Sequence, residues 1–107
     1  MTTIDGAEQE PTTVDRVVDA VLAVPGVSGL HAGSFGEVAT YLPGRRVAGV
    51  RLGDDAAEVH VAVVMGSPIA EVAERVVAAV APLVHAPVRV FVEDVTPRTD
   101  PVAGDQV

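Results

Sequence analysis

The stretch 58–95, EVHVAVVMGSPIAEVAERVVAAVAPLVHAPVRVFVEDV, reads as a strand, a helix and a second strand with almost no slack, and its reading decides the fold. In Glu58 to Met65, Val59, Val61 and Val63 alternate with Glu58, His60, Ala62 and Val64, the period of a strand whose two faces differ in polarity. One face is core and the other is mixed. Gly66 breaks the run, the Ser67 hydroxyl is placed to cap a helix, and Pro68 suits a first helical position, which needs no intrahelical donor. Ile69, Val72, Ala73, Val76, Val80, Leu83 and Val84 then recur at three- and four-residue intervals, with Glu71, Glu74, Arg75 and Ala78 opposite. Valines are poor helix formers, and the five here cost together roughly 3 kcal/mol against alanine. Burying the apolar stripe returns on the order of 10 kcal/mol gross, so this helix forms by docking on a sheet. Pro82 predicts a distorted last turn or an end near Val80. Val88, Val90 and Val92 alternate with Arg89, Phe91 and Glu93 as the second strand.

Working outward, Thr12 or Thr13 can cap a first helix, with Asp15 three residues after Thr12 as in a capping box. Val14, Val17, Val18, Val21 and Leu22 form its apolar stripe, and Pro25-Gly26 ends it. Between Val27 and Asp55 glycines are frequent and apolar runs short, as in hairpins. The expected strands are Val27 to His31, Glu37 to Leu42, and one spanning Val47 to Leu52. Their turns are Gly33 to Gly36, Pro43-Gly44 and Gly53 to Asp55. These elements predict an α+β, two-layer sandwich in the order α-β-β-β-α-β, with both helices on one face of a small mixed sheet. Residues 12–95 make the single domain. Residues 1–11 and 96–107 are expected to be disordered acidic tails.

The chain has 107 residues and a net charge of −8, with seven arginines and no lysine. That charge is repelled by phosphate backbones and anionic bilayers, so nucleic-acid binding and direct membrane insertion are disfavoured. Neither a membrane-spanning run nor a signal peptide is visible, which predicts a cytoplasmic protein. With no cysteine, thiolate chemistry and disulfides are excluded. His31, His60 and His85 lie too far apart for a preformed metal motif, and no cofactor motif is present. Glu58 and His60 share a strand face and could act as a base and its orienter; a cross-strand pair is the plainer reading. Two Gly-x-x-Gly runs, 26–29 and 33–36, lack the helices and cations of a nucleic-acid clamp and read as turns. Arg45, Arg46 and Arg51 form the basic cluster, either a site for an anion or an acidic partner surface, or a solvated turn balanced by Asp54 and Asp55.

The order of these elements resembles the alkaline shock protein family of bacterial envelope-stress proteins. The likeness is carried by 21–30 (VLAVPGVSGL), by 49–52 (GVRL) leading into the valine-rich strand, and by 66–73 (GSPIAEVA) opening the second helix. It covers roughly residues 14–95. The sequence departs from the family in its lack of lysine and in Pro82. The resemblance implies a domain without catalytic residues, self-associating, and held at the inner face of the cell membrane by a membrane-anchored protein partner during envelope stress. The alternative function is a small ligand-binding or catalytic domain using Glu58 and His60.

Overall fold

Thr12 caps the first helix and closes both halves of a capping box. Its hydroxyl accepts from the Asp15 N–H at 3.2 Å, and its own N–H donates to Asp15 Oδ2 at 2.8 Å. The computed structural model describes residues 12–98. Helix α1 (Thr13–Leu22) buries Val14, Val17 and Val21 on one stripe. Leu22, expected in that stripe, is half exposed, because the buried row runs through Val21 to Val24 after the helix ends.

Strand β1 (Val27–Leu30) follows, then β2 (Ala39–Leu42) and β3 (Arg45–Ala48), which pair as a separate two-stranded hairpin closed by Pro43-Gly44. Strand β4 (Val50–Leu52) leads through Gly53 to Asp55 into β5 (Ala57–Val64). Five strands therefore separate the helices, against three in the expected α-β-β-β-α-β order and four stretches, 27–31, 37–42, 47–52 and 58–65, read as strands. The single strand expected over 47–52 is split at Gly49. The reason is geometric: β1 and β4 lie end to end along one edge of β5, β1 opposite Val61 to Val63 and β4 opposite Ala57 to Val59. Gly49 occupies the junction with φ +88°, and a Cβ there would come within 2.8 Å of Leu30 Cβ and 3.0 Å of the His31 nitrogen. The backbone of His60 bridges the same gap, donating to the Gly49 carbonyl and accepting from the His31 N–H, both at 2.8 Å.

Helix α2 (Ile69–Val80) starts one residue later than expected, after Pro68 rather than at it. Pro68 is extended at the cap position and no side chain caps the helix, so the Ser67 hydroxyl does not play the part expected of it. The Ser67 N–H instead closes a turn onto the Val64 carbonyl. The helix ends at Val80, and Ala81–Leu83, carrying Pro82, continues as one 3₁₀ turn. Leu83 and Val84 leave the helix but still pack on the core. Strand β6 (Val88–Thr96) then pairs parallel to β5. It reaches one residue past the expected domain end, since the Thr96 carbonyl accepts from Met65 N–H at 2.7 Å. The expected tail at 1–11 and residues 99–107 of the tail expected over 96–107 lie outside the described residues.

The sheet is thus mixed, with β5 at its centre, β6 parallel on one side and β1 and β4 antiparallel on the other. Both helices cover the face of Val59, Val61 and Val63, which gives the expected α+β two-layer arrangement. All eleven residues of the buried cluster are valines. Valine has one stiff torsion, so this core loses little side-chain entropy on folding.

Candidate functional site

The face of the sheet turned away from the helices carries the domain's clustered polar chemistry. Period-two alternation puts Glu58, His60 and Ala62 of β5 there, and Arg89, Phe91 and Glu93 of β6. The parallel register sets Phe91 beside His60, and their rings stack with centroids 4.4 Å apart and planes 18° from parallel. A register shift between Val61 and Ala62 leaves Glu93 as an extra residue on β6. That bulge aims Glu93 at His60, whose Nδ1 lies 2.5 Å from Glu93 Oε2. On the other side of the ring, Nε2 lies 3.3 Å from Glu58 Oε1. A carboxylate only accepts, so the shorter contact puts a proton on Nδ1. Arg51 of β4 reaches the same Glu58 oxygen at 3.6 Å. His60 is only 7 % exposed and every buried polar side-chain atom among the described residues has a partner.

The pairing of Glu58 with His60 is therefore real, but the nearer and shorter partner is Glu93. Sequence reasoning placed Glu93 and Phe91 on alternating positions of a strand without linking them to His60. The link depends on the offset of two parallel strands and on a bulge, neither of which periodicity contains. Chemically, the arrangement fixes an imidazole between two carboxylates and a phenyl ring. Among the described residues its hydrogen-bond partners are the two glutamates alone, and no hydroxyl is bonded to it. Two clefts lie away from this cluster. One of about 410 Å³ lies between Leu52, Asp54 and His85 at one end of the sheet, and one of about 700 Å³ lies between His31, Ala62, Asp94 and Arg98 at the other. A third, of about 400 Å³, is lined by Glu58 of this cluster together with Arg51, Asp55 and Arg89. His60 lines none of the three. No group of three or more metal-ligating side chains occurs among the described residues.

The three arginines of the basic cluster each have a separate partner inside the domain. Arg45 makes a two-pronged contact with Asp15 of α1, at 2.9 and 2.8 Å. That bond, with the Thr12 hydrogen bonds, holds the Asp15 carboxyl well below the usual carboxylate range, and Asp15 in turn raises Arg45. Arg46 donates to the Gly36 carbonyl at 2.6 Å and lies 5.9 Å from the Tyr41 ring centre. Arg51 donates to the Glu37 carbonyl at 3.2 Å. The balancing acids are Asp15 and Glu58, rather than Asp54 and Asp55, because the β2–β3 hairpin brings Arg45 to the start of α1 and the β4–β5 register sets Arg51 opposite Glu58.

Large apolar side chains remain in solvent at several places. Phe35 and Tyr41 are 87 % and 71 % exposed at the hairpin end, and Phe91 and Val95 are each 39 % exposed on β6. No helix is long and apolar enough to cross a membrane among the described residues.

No family model and no curated protein sequence matches the chain. Among solved structures, a triply substituted MamM CTD aligns over 81% of this chain and 93% of its own at 25% identity, with a TM-score of 0.46. A single-site variant of MamM CTD aligns over 89% and 84% at 24% identity, with a TM-score of 0.44. Superpositions this loose carry no functional weight.

Proposed function

We propose that this domain is a non-enzymatic interaction module that associates with copies of itself and is held near the membrane by a protein partner. The observation that carries this reading is the outer face of the sheet. Its imidazole is held between two glutamates and lines none of the three clefts, while the strand at its margin keeps Phe91 and Val95 in solvent. A catalytic imidazole needs a reacting group within reach. An exposed edge strand with apolar side chains needs cover. The envelope-stress role and a cytoplasmic location at the inner membrane face belong to the same proposal, supported by the alkaline-shock-like order of elements. Arg45, Arg46 and Arg51 are the proposed contact for the tethering partner, at half-exposed positions such as that of Arg45.

Direct lipid binding is not part of the proposal. Three arginines offer roughly 1 kcal/mol each at an anionic surface, and the net charge of −8 opposes them. Two measurements test the reading. Sedimentation should show concentration-dependent association. Flotation with phosphatidylserine-containing liposomes should leave the purified protein at the bottom of the gradient. A strict monomer removes the first half of the proposal, and co-migration with bare liposomes removes the tether.

A further inference from the structure

We infer that two copies of this chain join through β6, antiparallel, about a two-fold axis at Phe91. This rests on the self-association proposed above and names its surface and register. Among the described residues β6 pairs only with β5, so its other edge is open. The Pro87 carbonyl accepts from Ala57 N–H of β5. Backbone groups of successive residues point to opposite edges, so Pro87, Arg89 and Phe91 face β5, and Val88, Val90 and Val92 turn N–H and C=O outward. Only residues of this second set can exchange hydrogen bonds with a second copy.

Each two-fold register that pairs these outward groups can be judged by what it sets opposite Arg89, Phe91 and Glu93. Centring on Arg89 or on Glu93 opposes like charges. Centring on Val90 or Val92 puts Phe91 opposite Arg89 or opposite Glu93 and makes no ion pair. Centring on Phe91 pairs Val90 with Val92 of the second copy, twice, and both pairs use outward backbone groups. It also sets Arg89 opposite Glu93 of the second copy, twice, on the outer face. Arg89 has no ion-pair partner among the described residues, and Glu93 shares its face by alternation and contacts His60 there. The exposed Phe91 ring then meets Phe91 of the second copy, and the two sheets become one. Opposite charges and paired aromatic rings on one face are what stabilise an antiparallel pair.

The chain contains no cysteine, so one introduced thiol reports the register cleanly. At a two-fold position between hydrogen-bonded pairs the Cα atoms are about 4.5 Å apart, within disulfide reach. With oxidised glutathione as oxidant, Phe91→Cys is expected to form a covalent dimer, and Val95→Cys, whose opposite residue is Pro87, is not. Arg89→Glu and Glu93→Arg are each expected to dimerise roughly tenfold more weakly than wild type or worse. An equimolar mixture of the two should recover wild-type affinity, because each Glu then faces an Arg. Since Glu93 also holds His60, the fold of Glu93→Arg is checked by its melt. If it does not fold, Arg89→Glu and the thiol pair decide the matter. Association that persists without a link at residue 91 and ignores both charge changes overturns the register and leaves self-association standing. A wild-type monomer overturns both.

Discussion

Replacing Val76 tests the helix–sheet contact on which the architecture depends. Its side chain is 0 % exposed within the valine cluster, midway along the buried row Val72, Val76 and Val80. Val76→Ala removes two methyl equivalents, about 1.6 kcal/mol of transfer free energy. The cavity left behind adds to this, and the better helix propensity of alanine returns about half a kcal/mol. A net loss of about 2 kcal/mol is expected, which for a domain of this size lowers the Tm by about 8–16 °C. Val76→Asp also buries an unpaired carboxylate, costs several kcal/mol more, and should leave the domain largely unfolded against a total of roughly 5–15 kcal/mol. The neighbouring Val77→Asp separates burial from helix propensity, because Val77 is on the same helix but 36 % exposed. It should unfold within a few degrees of wild type. Thermal and urea melts followed by circular dichroism read all three. A Val77→Asp variant as damaged as Val76→Asp, or a Val76→Asp variant that melts like wild type, would refute the assigned helix face.

The Asp15 carboxyl, depressed by Arg45 and the Thr12 cap, contributes stability fully above its unfolded pKa of about 4 and loses it as pH falls through its lower folded value. The urea-midpoint difference between wild type and Asp15→Asn should therefore be flat from pH 7 to about 5 and shrink below about 4; a difference unchanged at pH 2 would show that the charge is irrelevant. Gly49→Ala forces a Cβ against Leu30 and the His31 backbone and should cost about 3 kcal/mol or more. Gly44→Ala, also at positive φ but with nothing within 4 Å, should cost about 1 kcal/mol, and equal midpoints for the two would contradict the crowded junction between β1 and β4.

Local patterns in the chain are sufficient for its elements but not for their assembly. Thr12 and Asp15 close the capping box their spacing announces, Pro82 ends α2 at Val80, and Pro43-Gly44 turns the hairpin, because each of these depends on atoms a few residues apart. The valines at positions 59, 61, 63, 72, 76 and 80 are buried as their periods require, and that burial puts both helices on one face. Tertiary structure alone decided that the strand expected over 47–52 breaks at Gly49, since the break comes from two strands meeting end to end on β5. It alone decided that Arg45 reaches Asp15, thirty positions away, and that Glu93 reaches His60. Side-chain alternation tells which face a residue occupies. It does not tell how far one parallel strand is slid along another or where a bulge shifts the count, because those offsets are set by the packing of the whole sheet under the helices.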